Sequence, residues 1–234
     1  MSAKVTKNPN GEIEITITFP WSEVSIALEK QIQAAVDTAE ISGFRKGKAP
    51  RNMVEPQLDK NKLYSSVIQK ILPSAYESAI KDNQLKPILY PHIHIQKAEP
   101  EKDWEFSLHT CEAPVINLEK YESVVALVSK DPADSRVVRI LDELRKLTKL
   151  TLPDILVEEE ANHRLGALIE NITQLGMTTN SYLEAKKLTP ETLKAQMANE
   201  ARADLEAEFI LSHIQSNQKL ADRKKTLDYL LSLV

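Results

Sequence analysis

Gly43-Phe44-Arg45-Lys46-Gly47-Lys48-Ala49-Pro50 separates two helical patterns, and its reading decides how the first half of the chain is organised. Upstream, Val24, Leu28, Ile32, Ala35 and Ala39 recur at three-to-four spacing. That predicts an amphipathic helix from about residue 21, with Ser22 as its N-cap, stopping before Gly43. Downstream, Pro50 suits the first turn of a short helix reaching about residue 58. Leu63, Val67, Ile71, Ala75 and Ala79 predict a longer helix, either kinked at Pro73 or restarted there. The quoted stretch is then an exposed connector. It holds two of the five glycines and sets Phe44 beside Arg45, Lys46, Lys48 and Arg51. An aromatic among cations suits a docking loop, with an apolar anchor and groups that pair with phosphate or carboxylate. The alternative is a plain connector whose Phe44 turns back into the core. A P-loop is excluded: that pattern needs a longer gap between its glycines, a Ser or Thr after the Lys, and a preceding strand.

Outward from this stretch the pattern changes to period two. Ile13, Ile15, Ile17 and Phe19 alternate with polar residues, predicting a strand. The Asn8-Pro9-Asn10-Gly11 turn before it implies a partner strand over residues 3–7. On the other side, Ile93 and Ile95 alternate with His92, His94 and Gln96. Trp104, Phe106 and Leu108 alternate with Glu105, Ser107 and His109, and residues 99–103 read as the hairpin loop between them. Residues 1–114 are therefore expected to form an α+β domain with a small antiparallel sheet covered by helices.

Beyond Ala113-Pro114 the pattern is helical. Residues 115–150 read as a connecting segment, broken at Asp131-Pro132, with a stripe of Val137, Ile140, Leu141, Leu144 and Leu147. Thr151-Leu152-Pro153-Asp154 resembles a capping box, and Val157, Ala161, Leu165, Leu168, Ile172 and Leu175 predict a long helix ended by Gly176. A short helix over 181–188 follows. Thr189-Pro190 caps another long one, carrying Leu193, Met197, Ala201, Leu205 and Phe209, and Leu227, Leu230, Leu231 and Val234 mark the last. Residues 151–234 are expected to be an all-helical domain with long arms.

Composition narrows the function. With 42% hydrophobic and 27% charged residues the chain is of ordinary globular character. A net charge of −4 confines any nucleic-acid contact to a local basic patch. The single cysteine, Cys111, rules out an intramolecular disulfide and fits a reducing compartment. No apolar leader core precedes Pro9 and no run of about 18 apolar residues occurs, so a cytoplasmic protein without a membrane partner is expected. His92, His94 and His109 fall on one strand face, with Cys111 on the side of His109. A metal site there is weighed against simple outward alternation of polar residues. With Glu105 expected opposite His94, no metal site and no cofactor are predicted. No serine or cysteine nucleophile can be tied to a base, and Glu158-Glu159-Glu160 reads as a helix-start charge run, so no catalytic residue is assigned.

Residues 43–50 also match, at every defined position, the GFRxGKxP docking signature of trigger factors, and the strands and helices around them match that family's order. The stretch 152–160 is similar to the start of the family's helical arm domain. The resemblance covers roughly residues 1–120 and 150–215. It implies an ATP-independent chaperone whose Phe44, Arg45 and Lys46, shaped by Gly43 and Gly47 and flanked by Lys48, dock on protein and RNA of the large ribosomal subunit beside the tunnel exit. Its clients would be nascent or unfolded polypeptides. Leu168, Ile172, Met197 and Phe209 are candidate client contacts wherever the arms enclose a concavity. The family's prolyl-isomerase domain has no room here: only about 35 residues separate Pro114 from Thr151, with Tyr121 the one aromatic. No isomerase activity is expected, although the family name would carry it over. The resemblance also implies weak self-association, which a shortened C-terminal region puts in question. The rival readings are a prolyl isomerase and an RNA-binding module using the basic loop.

Overall fold

The first strand pair follows directly from the alternation around Ile15. In the computed structural model, which describes residues 1–128 and 133–234, β1 (Ser2–Lys7) pairs antiparallel with β2 (Glu12–Phe19), Val5 facing Ile15. Pro20 ends β2 and caps α1 (Trp21–Thr38) through its backbone. Ser22 is not the cap. It lies inside the first turn, where its carbonyl accepts from the Ser25 hydroxyl at 3.1 Å. The free N–H of Trp21 instead donates to Asp103 Oδ1 at 2.8 Å, so a carboxylate remote in sequence does the capping.

After the connector come α2 (Arg51–Val54), a 3-10 turn over Glu55–Gln57 and α3 (Lys60–Asp82). Asp59 caps α3 by accepting from the N–H groups of Asn61 and Lys62. The helix runs on through Pro73 as one element. β3 (His92–Lys97) and β4 (Trp104–Cys111) complete a sheet of order β1-β2-β4-β3. Their register sets His92 against His109 and His94 against Ser107. Glu105 faces Lys97, not His94, because a bulge between Ile95 and Lys97 shifts the pairing.

The chain divides into two compact units, residues 1–8 with 13–112 and residues 9–12 with 113–234. In the first, the inward faces of β2 and β4 pack against α1 and α3. Phe19, Trp104 and Phe106 meet edge to face with centroids 5.9 and 6.3 Å apart, and Tyr64 stacks edgewise on Trp104 at 5.1 Å. Burial of each such side chain contributes about 1.5–3 kcal/mol before entropy is charged. A satellite cluster of Ile32, Val36, Ala49 and Val54 ties the end of α1 to the start of α2.

The second unit is all helical: α4 (Tyr121–Ala126), α5 (Ala133–Thr148), α6 (Asp154–Gln174), α7 (Thr179–Lys186), α8 (Pro190–Asn217) and α9 (Arg223–Ser232). An α+β fold followed by an all-α region is thus the architecture, as the periodicities predict. The expected break at Asp131-Pro132 lies outside the described residues. Residues 115–150 are not a bare connector. Tyr121, Val125, Ile140 and Leu144 from α4 and α5 share a core with Ile210, Leu211 and Ile214 of α8 and Leu230 of α9. The Tyr121 hydroxyl, its pKa raised by burial, accepts from Gln218 Nε2 at 3.0 Å. A second cluster joins Leu152, Val157 and Ala161 to Ala201 of α8. Thr189 and Thr192 form the reciprocal capping box of α8. No such box forms at Thr151; Pro153 is the N-cap position of α6, and the N–H groups of Asp154 and Ile155 donate to Glu12 Oε1 at 2.9 and 3.3 Å. The acidic run opening α6 is structural, Glu158 facing Lys194 at 3.8 Å and Glu160 pairing with Arg164 at 2.7 Å. Among the described residues no helix is long and apolar enough to cross a membrane.

Candidate functional site

The connector between α1 and α2 is built from two consecutive tight turns. Phe44 N–H donates to the Ile41 carbonyl at 3.0 Å, and Lys48 N–H to the Arg45 carbonyl at 2.9 Å. Gly43 and Gly47 occupy the third position of each turn with φ of +87° and +69°. That conformation favours glycine, which accounts for both residues. Gly47 has a further constraint. Its N–H donates to the Ala39 carbonyl at 2.9 Å, and a Cβ there would sit 2.2 Å from the Asp37 carbonyl oxygen. The loop is therefore folded back against the last turn of α1, with buried Ala49 anchoring its far side.

Phe44-Arg45-Lys46 form the projection between the two turns. Phe44 does not turn into the core: it is 42% exposed, although the two flanks of the loop together build an apolar cluster of Ile32, Val36, Ala49 and Val54. Arg45, Lys46 and Lys48 are exposed as well. The four cations of this stretch are not equivalent. Arg51 is bound bidentately to Glu29 and, through Nε, to Glu55 at 2.8 Å. Hydrogen bonding to Glu29 and Glu55 raises the Arg51 pKa, while the same contact with Arg51 holds Glu29 below the ordinary carboxylate value. Lys46 pairs with Glu40 at 2.9 Å. Arg45 and Lys48 have no ion-pair partner among the described residues, so they are the cations immediately available to an external anion.

The other candidates fall elsewhere. His92, His94 and His109 do share the sheet face away from the helices, His94 and His109 with ring centroids 5.3 Å apart. Among the described residues no group of three metal-ligating side chains converges, and Cys111 is buried. The register brings together one arrangement that sequence reasoning missed. Ser107 Oγ lies 2.9 Å from His109 Nε2 and 3.0 Å from Glu14 Oε1. It does not make a nucleophile. The carboxylate meets the hydroxyl, not the far ring nitrogen that would orient the histidine, and Ser107 is buried. Local sequence carries no signal for it, because Glu14 arrives from β2.

In the second unit Ile172 is only 4% exposed and Leu168 is half-buried. Met197 and Phe209 pack on the Leu152–Val157–Ala161–Ala201 cluster.

The fold and this loop define an α+β unit that presents an aromatic among cations, joined in sequence to an all-helical unit. The family model described as bacterial trigger factor protein matches residues 1–147, and that of the trigger factor C-terminus matches residues 128–230. The chain belongs to the trigger factor family. The two matches overlap over residues 128–147, so no prolyl-isomerase domain stands between them. Curated relatives include the trigger factor of Macrococcus caseolyticus (strain JCSC5402), 30% identical over 172 residues, 72% of this chain and 39% of the relative. That of Staphylococcus aureus (strain JH9) is 28% identical over 174 residues, 74% of this chain and 36% of the relative. The chain thus spans under two-fifths of the length of these relatives. A solved trigger factor chaperone chain aligns with a TM-score of 0.43 at 19% identity, over 63% of this chain and 34% of that one.

Proposed function

We propose that the chain is an ATP-independent holdase that docks at the ribosomal tunnel exit in the cytoplasm and shields emerging polypeptides. The observation that carries this reading is the loop: two glycine turns hold Phe44 out of the core beside Arg45 and Lys48, which have no ion-pair partner among the described residues. Phe44 anchors in an apolar pocket of a large-subunit protein, and Arg45 and Lys48 meet phosphates of nearby RNA. Lys46 joins them by exchanging Glu40 for a phosphate. Residues 1–114 act as the docking domain and 151–234 as the chaperone arm. Residues 115–150 replace the isomerase domain and brace the arm through the core they share with α8 and α9. Docking raises the local concentration of the arm around the emerging chain, and dispersed apolar contacts suit promiscuous clients. Leu168, Ile172, Met197 and Phe209 are proposed client contacts. Leu168, Met197 and Phe209 are half-buried, and Ile172 engages only if it leaves its packed position. No enzymatic step is assigned.

Co-sedimentation with ribosomes tests the dock. The wild-type chain is expected to pellet with the large subunit, and Phe44→Ala/Arg45→Ala/Lys46→Ala is expected to stay in the supernatant. Equal binding by both overturns the loop's role. Failure to suppress aggregation of an unfolded client overturns the holdase reading.

A further inference from the structure

Arg51 follows the loop directly, yet its own surroundings are acidic. Both terminal nitrogens of its guanidinium bond the carboxylate of Glu29 on α1, Nη2 to Oε2 at 2.8 Å, and its Nε bonds Glu55 Oε2 at 2.8 Å. Three of the five guanidinium N–H groups are used in this way. One positive charge stands between two negative ones, so Arg51 adds no net charge to what Arg45 and Lys48 offer an anion. Lys46 differs, pairing with the single carboxylate of Glu40 at 2.9 Å.

Where these bonds fall on α1 explains what they do. The loop is tied to the end of α1 by the Gly47 N–H, which donates to the Ala39 carbonyl at 2.9 Å. Glu29 lies roughly 15 Å further back along the helix, at about 1.5 Å per residue. Between the two ties, Ile32 and Val36 pack on Ala49 and Val54. That apolar contact is non-directional: it holds the two surfaces together without fixing their angle. With the Ala39 tie alone, α2 could pivot about it. A bidentate Arg–carboxylate fork is planar and directional, so at a second point it fixes how the chain leaves the loop. Partly exposed ion pairs ordinarily carry little weight, and a bidentate fork joined to a further bond is the exception.

We infer that Arg51 is a positioning residue for the docking loop: clamped to Glu29 and Glu55, it sets the projection of Phe44, Arg45 and Lys48 and takes no phosphate itself. The inference rests on the docking reading and assigns a role that reading leaves open. An anchor and cations already held at their spacing lose less freedom on binding. To meet a phosphate, Arg51 would have to leave two carboxylates, whereas Lys46 leaves one.

The test is binding of the full chain to large ribosomal subunits over a series of salt concentrations, with circular dichroism to check that each variant is folded. Arg51→Lys keeps the charge and loses the planar fork, and is expected to weaken binding about fivefold or more. Arg51→Gln is expected to weaken it with the slope of log K against log salt unchanged. Arg45→Ala, which removes a phosphate contact, should flatten that slope by about 0.7–0.9. The exchanged pair Glu29→Arg/Arg51→Glu conserves net charge and is expected to recover most of the lost affinity. Undiminished binding by Arg51→Lys, a slope flattened by Arg51→Gln as by Arg45→Ala, or no recovery in the exchanged pair overturns the inference. Tryptic cleavage after Arg45, read by mass spectrometry, follows the clamp without ribosomes. It should be faster in Arg51→Lys and slowed again in the exchanged pair. Unchanged cleavage in Arg51→Lys overturns the clamp and leaves the docking reading standing. Equal pelleting of the wild type and Phe44→Ala/Arg45→Ala/Lys46→Ala overturns the docking reading, and cleavage then decides the clamp.

Discussion

β3 and β4 lie side by side in one sheet and carry the same alternation of apolar and polar residues, yet they meet different fates. Trp104, Phe106 and Leu108 of β4 are at most 1% exposed, whereas Ile93 and Ile95 of β3 are half exposed. Ile93 and Leu108 are direct cross-strand partners, as are Ile95 and Phe106, so they point to the same face. The difference is position: β4 is flanked by β2 and β3 and lies within the core built with α1 and α3, while β3 has a neighbour on one side only. Alternation says which residues share a face. It does not say whether that face is covered.

The largest expected effect tests this contrast directly. Phe106→Ala should destabilise the chain by about 3–5 kcal/mol in denaturant unfolding, since it leaves a cavity among Phe19, Trp104 and their neighbours. A cost below that of an ordinary surface substitution would mean that the β4 face is not the core.

Gly47→Ala asks whether a backbone constraint at a half-buried loop position approaches the weight of core burial. The positive φ and the approach to the Asp37 carbonyl predict a loss of about 1–3 kcal/mol. A displaced loop should appear as faster proteolysis after Arg45 or Lys46. Gly43→Ala meets open space and should cost less, so the two glycines separate strain from close approach.

Glu112, just past β4, tests polar support of the sheet. It accepts from the Lys86 N–H at 2.6 Å and pairs with Lys7 at 3.2 Å, and the Lys86 bond chiefly holds its pKa below the usual carboxylate value. A carboxylate depressed in the folded state stabilises fully above its unfolded pKa and loses that stabilisation as pH falls through the lowered value. Glu112→Gln should therefore cost about 1 kcal/mol at neutral pH. The gap in Tm between the two proteins should close in acid; a gap that persists there would assign the effect to packing.

The smallest effect sharpens the contrast from the other side. Ile95→Thr should change stability by less than about 0.5 kcal/mol in the same unfolding experiment, because the side chain is exposed and threonine keeps strand propensity. A core-sized loss would show that β3 is covered after all.

Much of this was legible in the residues themselves. The two strand pairs, the long helices, the Thr189-Pro190 cap and the exposed glycine loop all rest on interactions within a few residues. The misreadings have a common cause. Ser22 and Thr151 look like caps, but the Trp21 N–H is met by Asp103 and the first N–H groups of α6 by Glu12. Glu105 was expected opposite His94, but a bulge moved it to Lys97. Each outcome depends on a partner remote in sequence or on a local shift of strand register.

The sequence by itself determined which stretches alternate as strands and which carry helical stripes, which loop needs glycine at two points, and which side chains that loop sets between its turns. These follow from backbone sterics and short-range periodicity. Only the tertiary structure decided that Lys46 and Arg51 are already paired while Arg45 and Lys48 have no ion pair among the described residues, that Ile172 is buried, and that Ile93 and Ile95 of β3 lie half exposed. Burial and ion pairing are set by which distant segments come together, and no local pattern encodes that.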